Sequence, residues 1–200
     1  MEPTTSRPQV SRSVGLGALA GIVAGLAMAM FAMIAAATYQ NTGFFTPMYH
    51  IASTFIQPTA METSMKQAMG GDLYYFSAGP AALGMAIHMM TAITFGVIFA
   101  LLAASLGLRG AVAPIAGVVY GLGVFALMSF AVLPVIADLF GGGKPIADMP
   151  KMVGYTTFGL EHTIYGLVLG LVLAPQRAYA NVRQPVTRSA QGPRIQAGSR

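Results

Sequence analysis

Four long apolar runs, at about residues 14–38, 81–105, 111–139 and 151–173, constrain this chain more than anything else in it. Each is long enough to cross a hydrocarbon layer as a helix, which takes about 20 residues. Backbone groups in lipid must be satisfied within the segment, so runs of this kind fold as helices rather than open strands. The sequence therefore reads as an all-α membrane protein, a four-transmembrane-helix bundle. Composition agrees, because 55% hydrophobic and 8% charged residues leave too little polar surface for a water-soluble domain.

Several function classes fall away at once. The chain has no cysteine, which removes disulfides, thiolate metal sites and cysteine nucleophiles. The net charge of +5 comes from arginines scattered through the tails without an aromatic or motif context, so it reads as membrane topology and not as nucleic-acid binding. Residues 1–12 form a polar tail, and the apolar run behind it is too long for a signal peptide and lacks a convincing cleavage site. No nucleophile-base-acid constellation accompanies Ser105 or Ser129, and the Gly141-Gly142-Gly143-Lys144-Pro145 stretch lacks the spacing of a phosphate loop, so an enzyme is not expected.

Lysine and arginine are distributed unevenly between the two sides. With four spans, one face collects Arg7, Arg12, Arg109 and the arginines of a disordered basic tail, Arg177, Arg183, Arg188, Arg194 and Arg200. The other face has Lys66, Lys144 and Lys151. The positive-inside tendency then makes both termini cytoplasmic in a multi-pass protein of the bacterial inner membrane, with the long connection 39–79 facing outward. Within that outer loop, Thr46 to Phe55 and Pro58 to Met69 read as short helices that lie on the membrane or plug the bundle mouth.

Small residues recur at helical spacing. Gly17, Gly21 and Gly25 line one face of the first span, Gly117 and Gly121 the third, and Gly166 and Gly170 the fourth, a glycine-zipper pattern that lets backbones approach. Ala20-Gly21-Ile22-Val23-Ala24-Gly25-Leu26 matches Ala116-Gly117-Val118-Val119-Tyr120-Gly121-Leu122, and His88 with Phe95-Gly96-Val97 echoes His162 with Tyr165-Gly166-Leu167. The spans thus read as two copies of a two-helix unit inserted in the same direction, an internal repeat that brings the two histidine helices together. The same faces serve packing within one subunit or a seam in a homo-oligomer or larger membrane complex. Pro134 is expected to kink the third span, and Pro80 and Pro150 to open the second and fourth.

The candidate site is the polar intramembrane cluster Glu161, His162, His88 and Tyr165. A charge at the centre of a spanning helix costs about 2.5 to 3.5 kcal/mol on insertion scales, so such groups face protein. At about 1.5 Å per residue, Glu161 lies roughly 14 Å and His88 roughly 10 Å into its helix, which makes His88 the expected partner of the acid. Tyr165, one turn from both Glu161 and His162, is placed to share a hydrogen bond with either. The cluster reads as polar glue between helices or as a small proton or solute pathway. Two alternatives involve a cofactor where otherwise none is expected: His88 and His162 as axial ligands of a haem or chlorin, or copper held by Met61, Met65 and Met69 with His50.

Residues 81–174 carry a resemblance as well. His88 in the context Gly84-Met85-Ala86-Ile87-His88, the run Phe95-Gly96-Val97-Ile98-Phe99-Ala100-Leu101, Leu108-Arg109-Gly110-Ala111, and Glu161-His162-Thr163-Ile164-Tyr165-Gly166-Leu167-Val168-Leu169-Gly170-Leu171 resemble a family of small four-helix bacterial inner-membrane proteins, a domain of unknown function. The closing run is the most specific part. The resemblance implies a four-helix membrane fold and no particular activity.

Overall fold

The structure, a computed structural model, describes residues 7–175. Residues 1–6 of the expected N-terminal tail and 176–200 of the expected basic tail lie outside the described residues. The described residues are helical throughout with no strand, as α1 (Arg7–Ala37), α2 (Thr46–Ala52), α3 (Thr59–Met69), α4 (Ala78–Leu106), α5 (Val112–Leu127), α6 (Leu133–Phe140), α7 (Gly143–Ala147), α8 (Met149–Val153) and α9 (Tyr155–Leu173). Four stretches are long and apolar enough to cross a membrane: Val10–Ala37 within α1, α4, the continuous Val112–Phe140 that joins α5 to α6, and α9. Large apolar side chains on their outer faces, among them Leu19, Ile115, Val119, Phe130 and Leu139, are more than half exposed. Exposed apolar surface of that extent is compatible with an integral membrane protein.

The helix ends differ from the sequence expectation for local reasons. α1 is already helical at Arg7, the first described residue, ahead of the expected start at about residue 14. α4 starts at Ala78, so Pro80 is its third residue and not its first, still within the first turn. Pro150 opens the short α8 and not the fourth long helix. Gly154, at φ +90°, breaks the chain there with a backbone conformation that side chains resist, and α9 begins only at Tyr155. The glycine-rich break after α6 is folded into α7 and α8.

Between α5 and α6 the helix inserts one π-turn, Met128–Val132, where the Leu133 N–H reaches back five residues to the Met128 carbonyl. Pro134 has no N–H to return to residue 130, and the wider turn absorbs that gap without ending the helix.

Packing separates the four long helices into two close pairs, α1 with α4 and α5 with α9, joined by contact between α1 and α9. The expected juxtaposition of the second and fourth long helices is corrected here, because α4 makes few backbone contacts with α9. Glycine decides which pairs close. A Cβ on Gly96 would stand 2.6 Å from both the Gly17 carbonyl oxygen and Gly21 Cα, and one on Gly21 would stand 2.6 Å from the Ala92 carbonyl oxygen. On the other pair, a Cβ on Gly166 would run into the Gly117 carbonyl, one on Gly121 into the His162 carbonyl, and one on Gly170 would lie 2.5 Å from Pro114 Cα. Backbones this close gain dispersion and Cα–H···O contacts that any side chain would forfeit. The contacts equate Gly17 and Gly21 with Gly117 and Gly121, one turn away from the sequence match of Gly21 and Gly25 with Gly117 and Gly121.

Across the wider gap, side chains span what backbones do not. Tyr165 Oη donates to the Ala92 carbonyl at 2.6 Å and Tyr120 Oη to the Phe95 carbonyl at 2.8 Å. The Phe99 and Tyr120 rings meet at 4.9 Å, and Leu169 and Leu173 fill the space beneath.

At the opposite end α2 is drawn into the bundle, with Met48, Tyr49, His50 and Ala52 buried. Gly84 permits this, since a Cβ there would overlap the Met48 carbonyl. Tyr49 Oη accepts the Ser77 N–H at 2.8 Å and donates to the Tyr75 carbonyl at 3.1 Å, which holds the plug from the α4 side. α3 packs outside it, with Met61 buried and Met69 88% exposed. On the far side of the molecule the Gly110 N–H donates to the Ala174 carbonyl at 3.2 Å, so the turn after α4 meets the end of α9.

Candidate functional site

Above the Tyr165 and Tyr120 bridges the gap between α4 and α9 widens into a chamber of about 190 Å³. No described lining residue lies deeper than Phe95 on α4 or Tyr165 on α9, so the chamber is confined to the half of the bundle nearest α2. Pro47, Met48, His50 and Ile51 of α2 form its roof, and its walls are mostly apolar. Phe55 and Phe140, whose rings meet edge to face at 4.9 Å, line it while remaining 52% and 55% exposed.

His88 from α4 and Glu161, His162 and Tyr165 from α9 all line the chamber. Their mutual bonding differs from the sequence expectation. His88 Nε2 donates to the Gly25 carbonyl at 2.9 Å and not to Glu161. Tyr165 turns its hydroxyl across the gap to Ala92 instead of along its own helix to Glu161 or His162. His162 Nδ1 donates to the Phe158 carbonyl at 2.7 Å, with its ring 4.5 Å from that of Phe158 and 6.0 Å from that of Phe125. The cause is the separation of α4 from α9, which leaves each imidazole to find a carbonyl on or beside its own helix.

Glu161 is 5% exposed, and no hydrogen bond reaches its carboxyl group among the described residues. Only Ser129 Oγ, inside the π-turn, is a side-chain polar atom both sealed from open space and unpartnered among the described residues. The Glu161 oxygens are thus not sealed, and the space they meet is the chamber that the residue lines. Because α9 starts at Tyr155, Glu161 lies about 9 Å from its helix end and not 14 Å, while the earlier start of α4 puts His88 about 15 Å in.

His50 is the member that sequence reasoning missed. The loop reading grouped it with Met61, Met65 and Met69, yet it lines the chamber and none of those three does. Its Nε2 donates to the Pro145 carbonyl at 2.6 Å, tying α2 to α7. Burial holds the His50 imidazole below its ordinary value of about 6.5, and the bond to Pro145 opposes that shift in part. The signal that could have found it was Gly84, a bare patch on α4 with no glycine partner assigned to it.

Each imidazole commits one ring nitrogen to main chain, which leaves one nitrogen apiece for a ligand. No three His, Asp or Glu side chains converge closely enough to hold a metal ion among the described residues. Ser105 is exposed and bonds the Leu102 carbonyl, apart from any of these groups. No family model, curated protein or solved structure matches the chain.

Proposed function

We propose that the chain is an integral, four-span protein of the bacterial inner membrane, with both termini cytoplasmic, and that its chamber is a solute-binding site opening toward the outer side. The observation that carries this reading is the Glu161 carboxyl group, buried, unbonded and facing a chamber that three imidazoles from α2, α4 and α9 also line. Intramembrane acids are costly and are kept where they meet a proton, an ion or a solute. The blind inner end, closed by Tyr165 and Tyr120, favours a binding site over an open pore. The matching contacts of Gly96 with Gly17 and Gly21, and of Gly166 with Gly117 and Gly121, support a parallel two-helix repeat as the frame. Likeness of residues 81–174 to small inner-membrane proteins points to the same membrane.

The absence of cysteine makes the test clean. Thr91 lines the chamber, and a Thr91→Cys variant is expected to react with a membrane-impermeant thiol reagent added to the outer side of sealed vesicles and not to the inner side. Reaction from the inner side alone reverses the orientation, and no reaction from either side removes the chamber as a solute site. A visible spectrum and metal assay of the purified protein check the cofactor-free reading, which a tetrapyrrole band or stoichiometric copper would replace.

A further inference from the structure

The polar surface of the chamber is made almost wholly of hydrogen-bond acceptors. A main-chain carbonyl can only accept, so the nitrogen that each imidazole directs at one must carry the hydrogen: Nε2 of His88 toward Gly25, Nδ1 of His162 toward Phe158, and Nε2 of His50 toward Pro145. In the neutral ring the other nitrogen is then a bare lone pair. None of those second nitrogens is bonded or sealed away among the described residues.

Other lining groups have spent their hydrogens in the same way. Tyr165 gives its hydroxyl hydrogen to Ala92, Thr91 to Ile87 and Thr54 to Ile51. Gln40 directs its amide nitrogen to the Val153 carbonyl at 2.9 Å and keeps one spare hydrogen. Glu161, when ionised, accepts only. Elsewhere the chamber is faced by apolar residues of α1, α5, α6 and α8, which supply no charge.

A solute that displaces water from these acceptors must bring donors of its own, since each acceptor left unpaired would cost about 1–3 kcal/mol. The shortage is met by an occupant that brings several N–H hydrogens and a positive charge, with an apolar body for the walls. We infer that the chamber selects a small organic ammonium ion, its N–H hydrogens directed to Glu161 and to one free imidazole nitrogen, and its alkyl or aryl body held by the apolar lining. This rests on the reading of the chamber as a solute site and narrows the class of solute. A protonated amine also keeps Glu161 ionised, because a charge-assisted hydrogen bond replaces the water that the carboxylate has lost.

The experiment uses the full-length protein in mild detergent and three probes of nearly one shape: phenethylammonium, its N-trimethylated analogue and phenethyl alcohol. Titration calorimetry on the wild type is expected to show phenethylammonium binding at least about tenfold more tightly than either analogue, a difference of about 1.4 kcal/mol. It should also slow thiol modification of Thr91→Cys, and a Glu161→Gln variant that keeps its helical spectrum should lose the preference. Equal binding of the trimethylated ion overturns the requirement for N–H donors, and equal binding of the alcohol overturns the requirement for charge. Both results leave the chamber standing as a solute site. No binding of any probe, with Thr91→Cys still reactive, overturns the ammonium class, whereas an unreactive Thr91→Cys brings down the chamber reading beneath it.

Discussion

The α1–α4 and α5–α9 contacts and the α4–α9 gap are built from the same kind of apolar helix, yet they do opposite things. Where glycine faces glycine, backbones touch and nothing else fits, as at Gly96 on Gly17 and at Gly166 on Gly117. Where tyrosine faces backbone, α4 is propped away from the α5–α9 pair and joined to it by single hydrogen bonds, from Tyr165 on α9 and from Tyr120 on α5. Sealed pairs give the protein its frame, and the propped gap gives it a space in which an acid can remain unbonded.

The largest effect should come from closing the wrong space. Gly166→Ala puts a methyl group into the Gly117 carbonyl and should destabilise by about 3 kcal/mol or more, because both clashing partners are backbone. Gly123→Ala is the matched control. Nothing lies within 4 Å of its added Cβ, so helix propensity alone should make it neutral or up to about 1 kcal/mol stabilising. Thermal or denaturant unfolding followed by circular dichroism measures both, and equal losses at the two positions would erase the distinction between seam and free surface.

Removing a prop should cost less. Tyr165→Phe deletes the 2.6 Å bond to Ala92 while keeping the ring, and about 0.6 to 1.7 kcal/mol is expected from hydrogen bonds between membrane helices. A larger role in spacing α4 from α9 would show as a changed reaction rate at Thr91→Cys without a matching loss of stability.

The smallest effect concerns the roof. His50 takes up a proton less readily in the folded chain than in the unfolded one, so its neutral form contributes stability that is fully present above about pH 6.5. That contribution is lost as pH falls from there through the lower folded-state value. Melting temperature should therefore decline on acidification, and His50→Gln should make the decline shallower, with His88, Glu161 and His162 still titrating around the same chamber. An identical pH profile in the variant would detach α2 from the acid response.

Span lengths and the helical loop segments were legible because apolar length and proline placement are local properties. Choice of partner was not. Glycine spacing states which face of a helix can approach another, but four helices of similar apolarity leave open which one arrives. Attraction between His88 and Glu161 gave the wrong neighbour, since close backbone contact along a whole seam outweighs one hydrogen bond. His50 escaped for a related reason. Its place in the chamber depends on Met48 meeting Gly84, a pairing between a loop helix and a long helix that no periodicity announces. The fourth helix was given too early a start because Pro150 signals a helix beginning equally well for five residues or nineteen.

The π-turn at Met128–Val132 carries a consequence for the outer rim. One surplus residue advances everything downstream by about 100° around the axis. Ile136 and Phe140 look into the chamber only because of that advance. Deleting a single residue from the turn would therefore restore an α-helix with both side chains still on the rim, whereas straightening the turn at full length would swing them off it.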